Sequence, residues 1–166
     1  MNQLPEPWLR GIDANHDPVI GHLLRSSQQI REDISQAVSG LTLEQIWSRP
    51  NGAASVGFHA RHLAGSTDRL CTYLEGRQLS AEQLAELKNE AEPGEDAASL
   101  LARIDTALDR YESLLRSLMP DQFATIREIG RRRLQTTAIG LAIHIAEHGQ
   151  RHTGQATSIA KIVCSG

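Results

Sequence analysis

Four stretches of this chain repeat their apolar residues at three- and four-residue steps, the spacing that lines one face of an α-helix. The first spans Pro18–Val38 and carries Ile20, Leu23, Leu24, Ile30, Ile34 and Val38. Asp17 before Pro18 is a start signal, because an Asp side chain caps free amides and Pro at the first position lacks one; Gly40 is a stop. The second stretch covers residues 55–74, with Gly76 just beyond it. The third, over residues 96–118, holds Leu100, Leu101, Ile104, Leu108, Tyr111, Leu114, Leu115 and Leu118, and Pro120 ends it. The fourth opens at Thr136 or Thr137 and reaches Val163. Shorter helices are expected in the connections, at residues 43–47 before the Pro50-Asn51-Gly52 turn, and at 80–90 behind the capping-box pattern from Ser80 to Gln83. Residues 123–134 are less periodic and are expected to be extended or a structured loop. This pattern predicts an all-α fold, a four-helix bundle with short extra helices in its connections.

At 166 residues the chain suits a single domain over residues 1–166. With two Phe, two Trp and two Tyr, its core must be mostly aliphatic. A net charge of −3 argues against non-specific nucleic-acid binding, which needs a basic surface to neutralise phosphates. The one basic run, Arg131-Arg132-Arg133, reads as a solvated face. Residues 1–10 contain Pro5 and Pro7 and no apolar stretch, so no signal peptide is expected. No run approaches the roughly eighteen apolar residues that span a bilayer. Cys71 and Cys164 are isolated, as expected of reduced thiols in a cytoplasmic protein.

The chemistry concentrates in histidines. Of seven, three stand at four-residue steps in the fourth helix: His144, His148 and His152. Residues four apart on a helix sit about 6 Å from one another, so two such imidazoles can grip one ion without bending the backbone. A second pair, His59 and His62, lies on the second helix. On a wheel of about 100° per residue, Leu141, Ile145, Ile159 and Ile162 mark the buried stripe of helix four. His148 and His152 fall near its centre, and His144 and Gln155 toward its edges. On helix two, Val56, Leu63, Leu70 and Leu74 define the stripe; His59 lies near its centre and His62 at its flank. The wheel slightly prefers His59 as the inward group and does not decide between them.

Buried imidazoles need partners that aliphatic neighbours cannot supply, and an ion with its water would supply them. Two or three neutral imidazoles suit Zn²⁺, Ni²⁺ or Fe²⁺, with zinc first, rather than oxygen-seeking Mg²⁺ or Ca²⁺. Three protein ligands with an open position would make the site catalytic. A di-iron centre needs inward carboxylates in Glu-x-x-His pairs, and the histidine-bearing helices have none. His16 and His22 read as structural or solvent-facing.

Two segments resemble the DinB-like superfamily, which includes mycothiol-dependent maleylpyruvate isomerase domains and bacillithiol transferases. One is the run from Ser55 through His59 and His62 to Ala64. The other, His148-Gly-Gln-Arg-His152-Thr-Gly-Gln155, is similar to the family's H-x3-H-x-G-Q signature on the last helix. The resemblance implies a metal triad at His62, His148 and His152, a long right-handed crossover in the bundle, and a homodimer. His59, His144 and Gln155 then become groups beside the ligands that orient them or face substrate. Apart from the resemblance, Gly130-Arg131 before helix four reads first as a plain surface loop and second as a cation, Arg131, at the site mouth for a carboxylate-bearing thiol. The expected function is a metal-dependent enzyme, with thiol S-transfer acting on a low-molecular-weight thiol as its first reading. A hydrolase on the same site is the first alternative, and a non-catalytic, metal-stabilised dimeric binding or stress-response module the second.

Overall fold

A computed structural model describes residues 4–165. Four long helices form the body: α1 (Pro18–Val38), α3 (Val56–Leu74), α5 (Ala97–Ser117) and α6 (Ala138–Cys164). The short helices α2 (Leu43–Trp47) and α4 (Ala81–Lys88) lie in the connections. Each long helix starts where a side-chain oxygen can accept a free backbone amide. Asp17 accepts from Val19, Ser55 from Phe58, Asp96 from Ser99 and Thr137 from Gly140. Ser80 and Gln83 close the expected capping box on α4.

Residues 123–134, expected to be extended or a loop, hold most of a hairpin whose antiparallel strands are β1 (Ile126–Ile129) and β2 (Leu134–Thr137). Its turn needs a left-handed backbone at Gly130 (φ 69°), which glycine adopts without steric cost, and again at Arg133 (φ 48°). Of the two capping candidates, Thr136 belongs to β2 and Thr137 caps α6.

In the bundle α3 packs on α5 and α6, and α1 packs on the same two helices, so α1 and α3 face each other diagonally. Contacts fix the directions. Ser66 meets His148 while His59 meets His152, so α3 and α6 are antiparallel. Arg31 meets Asp105 and Asp109 while Ser27 meets Glu112, so α1 and α5 are antiparallel too. The apolar partners of α3 and α5 rise together in number, as do those of α1 and α6. Neighbouring α3 and α5 are therefore parallel, and residues 75–96 must return the length of the bundle between them. They descend along α3: Gln83 reaches Asp68 and Thr72, and Arg61 holds Asn89 and Glu95.

The core is aliphatic and divided. One apolar cluster gathers Ile30, Ile34, Leu63, Leu100, Ile104 and their neighbours; the other gathers Ile20, Leu23, Tyr111, Leu115, Leu141 and Ile145. Between them along the helices lie buried Ser66 and Thr67 on α3, Gly149 and Thr153 on α6, and Ser27 on α1. The wheel's placing of Ile162 on the buried stripe is corrected, since this side chain is 51% exposed in the last turn of α6. No helix of the described residues is long and apolar enough to cross a membrane.

Candidate metal centre

Where α3 and α6 run past each other at the break in the core, His62, His148 and His152 each present one nitrogen, and the three lie within 4.8 Å of one another. Ring centroids are 4.5 Å apart for His62 and His152, 4.6 Å for His148 and His152, and 5.2 Å for His62 and His148. On the other side of α6, α1 packs close against the centre. A Cβ at Gly149, beside His148, would come within 2.6 Å of Ile30 Cδ1.

In each of the three rings Nδ1 is engaged elsewhere. His62 Nδ1 lies 2.6 Å from Glu90 Oε2, and a carboxylate can only accept, so the proton is on Nδ1. Ser66 Oγ, 3.3 Å from His148 Nδ1, donates its single hydrogen to the Leu63 carbonyl and must accept from the ring. His152 Nδ1 lies 3.1 Å from His59 Nδ1. Nε2 is thereby left with a bare lone pair in His62 and His148, and in His152 wherever that ring is the donor to His59.

Electrostatics agree with this arrangement. Burial, then proximity of the His62 ring, pushes His148 down to about 4; the same two causes, with His148 and His59 added, push His152 down to about 3. His59 is lowered by burial and by His62. Neutral imidazoles with outward Nε2 lone pairs are what a divalent transition metal requires as ligands. Hydrogen bonds at the far nitrogens are what usually orient such rings. The donor set therefore fits a divalent transition metal, and three nitrogen donors leave positions open.

The neighbouring candidates divide. His59 is 6% exposed and touches the cluster through His152. Phe58 stacks on the His62 ring at 5.5 Å and 15°. His144 is exposed, 5.8 Å from His148 by ring centroids, with Glu147 3.8 Å away. Gln155 is exposed, and lines with His59, Arg151 and Ile159 a cleft of about 530 Å³. Arg131 does not stand at the site mouth: it is exposed in the hairpin turn, and the hairpin is tied to the far end of α3, where Arg127 donates to the Leu74 carbonyl and Gln78 to that of Glu128.

The sequence reading missed Glu90 and Ser66. Ser66 had a signal, since it follows His62 by one helical turn on the same face. Glu90, just past the end of a polar helix, had none.

Paired antiparallel helices that converge three imidazoles at mid-bundle define a class: helical bundles with an inter-helical histidine centre. The DinB superfamily model matches residues 27–156, and the chain belongs to that superfamily. Three solved structures share its fold. A DinB-family protein from Exiguobacterium sibiricum is 19% identical with a TM-score of 0.68, over 87% of this chain and 90% of its own. YfiT from Bacillus subtilis, described as a probable metal-dependent hydrolase with an unusual four-helix bundle topology, is 21% identical with a TM-score of 0.64, over 92% and 90%. A DinB-like protein from Bacillus cereus is 14% identical with a TM-score of 0.65, over 84% and 89%. No curated protein matches the sequence.

Proposed function

We propose that this chain is a metal-dependent enzyme whose divalent transition metal, zinc first, is held by His62, His148 and His152, and that it catalyses hydrolysis of a small molecule. The observation that carries this reading is the convergence of one nitrogen from each of the three imidazoles within 4.8 Å, with Nδ1 of His62 and His148 protonated by their bonds to Glu90 and Ser66. A metal bound there supplies Lewis acidity that makes water, or a thiol, a usable nucleophile at neutral pH. Glu90, Ser66 and His59 hold the imidazoles in orientation. Phe58 limits rotation of the His62 ring. The cleft beside His59 offers an apolar wall, Ala53, Ala54 and Ile159, and polar groups, Arg151 and Gln155, for a small substrate. The description of YfiT supports hydrolysis; the resemblance to thiol-transferring family members supports thiol S-transfer as the second reading.

Metal analysis of the purified protein tests the centre. Wild type should hold about one equivalent of zinc, nickel or iron, and a His148→Ala/His152→Ala variant little of any. Equal and low content in both would end the metal reading. Given metal, turnover of ester and amide panels supports hydrolysis, whereas metal-dependent consumption of a low-molecular-weight thiol with an electrophile replaces it by S-transfer.

A further inference from the structure

Glu90 comes from the connection 75–96, outside the four long helices, yet is 4% exposed and ends against His62. A buried carboxylate is costly unless paired, and two groups meet it. Oε1 is 2.7 Å from Arg69 Nη1, but the alignment there is too poor for a hydrogen bond. Oε2 is 2.6 Å from His62 Nδ1 and well aligned. The carboxylate is thus aimed at the imidazole, with the 7%-exposed Arg69 as its counter-ion.

Space for this trio is reserved at Gly65. A Cβ there would lie 2.5 Å from Glu90 Oε1 and 2.8 Å from Arg69 Nη1. The connection is also held in place on both sides of Glu90. Arg61 donates to Glu95 Oε2 at 2.6 Å, to the Asn89 carbonyl at 3.0 Å, and to the Glu92 carbonyl. Its guanidinium lies 4.5 Å over the Trp47 ring, and Trp47 donates to the Glu95 carbonyl at 2.9 Å.

We propose that Glu90 is a positioning residue of the histidine centre: by accepting the Nδ1 proton of His62 it locks this ring in the tautomer whose Nε2 lone pair faces His148 and His152. The assignment rests on the metal reading for its purpose but not for its geometry, which exists without an ion. Carboxylates behind metal-ligating imidazoles fix both ring orientation and tautomer. Here the carboxylate is brought from a separate part of the chain, so the centre is complete only when the connection is docked on α3.

The test uses Glu90→Ala and a companion, Glu90→Leu/Arg69→Met, which replaces the buried ion pair by apolar groups of similar volume and keeps the fold where the single change leaves Arg69 unpaired. Folding is checked by circular dichroism and melting of the metal-free protein. Two readouts follow: the ¹⁵N shifts of His62 in the metal-free protein, and zinc affinity by competition with a chelator. Wild type should show His62 protonated on Nδ1. A folded variant should show a mixture of tautomers and bind zinc about 10- to 100-fold more weakly. A wild-type Nδ1 tautomer in a folded variant overturns the proposal, as does zinc affinity within about twofold of wild type where wild type binds zinc. If wild type holds no metal, the proposed enzyme fails, while the nitrogen shifts still judge Glu90.

Discussion

His148 and His152 sit too close to each other, and to His62 and His59, to become charged together. Desolvation and mutual repulsion place them at about 4 and about 3 in the folded protein against an ordinary 6.5. The sign of the consequence follows from proton counting. Between about pH 6.5 and 4 the unfolded chain takes up protons that the folded one refuses, so stability of the metal-free protein falls as the pH drops through that window. Above about pH 6.5 both states are neutral at these rings and the contribution vanishes. Urea midpoints at stepped pH should therefore decline more steeply for wild type than for His148→Ala/His152→Ala; parallel slopes would contradict the placement. At this same scale the sequence was partly legible. The wheel ranked His59 most central, and it is the more buried of the α3 pair, but burial is not ligation. The nitrogens that cluster with those of His148 and His152 come from His62 at the flank of the stripe, while His59 meets the cluster only through His152. No local pattern reaches Glu90, because its contact with His62 is made by folding a distant connection back.

Helices were legible because each carries its start signal in one or two residues: Asp17, Ser55, Asp96 and Thr137 all cap as their side-chain chemistry suggests. The hairpin was not. Its strands have four residues each, with Ile126 and Leu134 more than half exposed, so no alternation of buried and exposed side chains marks them. On α3 the sequence shows a glycine whose reason only packing reveals. A Cβ at Gly57 would lie 2.8 Å from three atoms of the Trp47 indole. That ring cannot swing away easily, pinned by its bond to Glu95 and by Arg61 above it. Alanine would gain up to about 1 kcal/mol of helix propensity, but overpacking against a fixed ring costs about 1–3 kcal/mol. Gly57→Ala should therefore destabilise, by about 1–2 kcal/mol in urea denaturation. Gly154→Ala, with nothing within 4 Å of its Cβ, should stabilise by about 0.5–1 kcal/mol in the same assay. Equal midpoints for the two variants would show that Trp47 is free to move.

The arrangement of the whole chain explains why the site needs more than two helices. With α3 and α5 parallel neighbours, the connection 75–96 has to travel back along the bundle, and its course lays Glu90 beside His62. A bundle with short hairpin connections would leave that face of α3 open to water and His62 without a carboxylate. Arg61 is the chief fastening of this return, since its guanidinium bonds Asn89, Glu92 and Glu95 and covers Trp47. Hydrogen bonds to a charged group contribute about 1.5–3 kcal/mol and a partly buried cation–π contact about 1 kcal/mol more, less whatever water returns. Arg61→Ala should then open the connection locally while leaving the buried residues of both apolar clusters packed, because its contacts reach only Trp47 at the border of the first. Hydrogen exchange followed by mass spectrometry should find amides of residues 89–96 exchanging faster in the variant, with α5 and α6 protected as in wild type. Zinc affinity should fall in step, since a loosened connection withdraws Glu90 from His62. Unchanged exchange in residues 89–96 would mean that the other contacts of the connection hold the return path without Arg61, and faster exchange with undiminished zinc binding would detach the connection from the histidine centre.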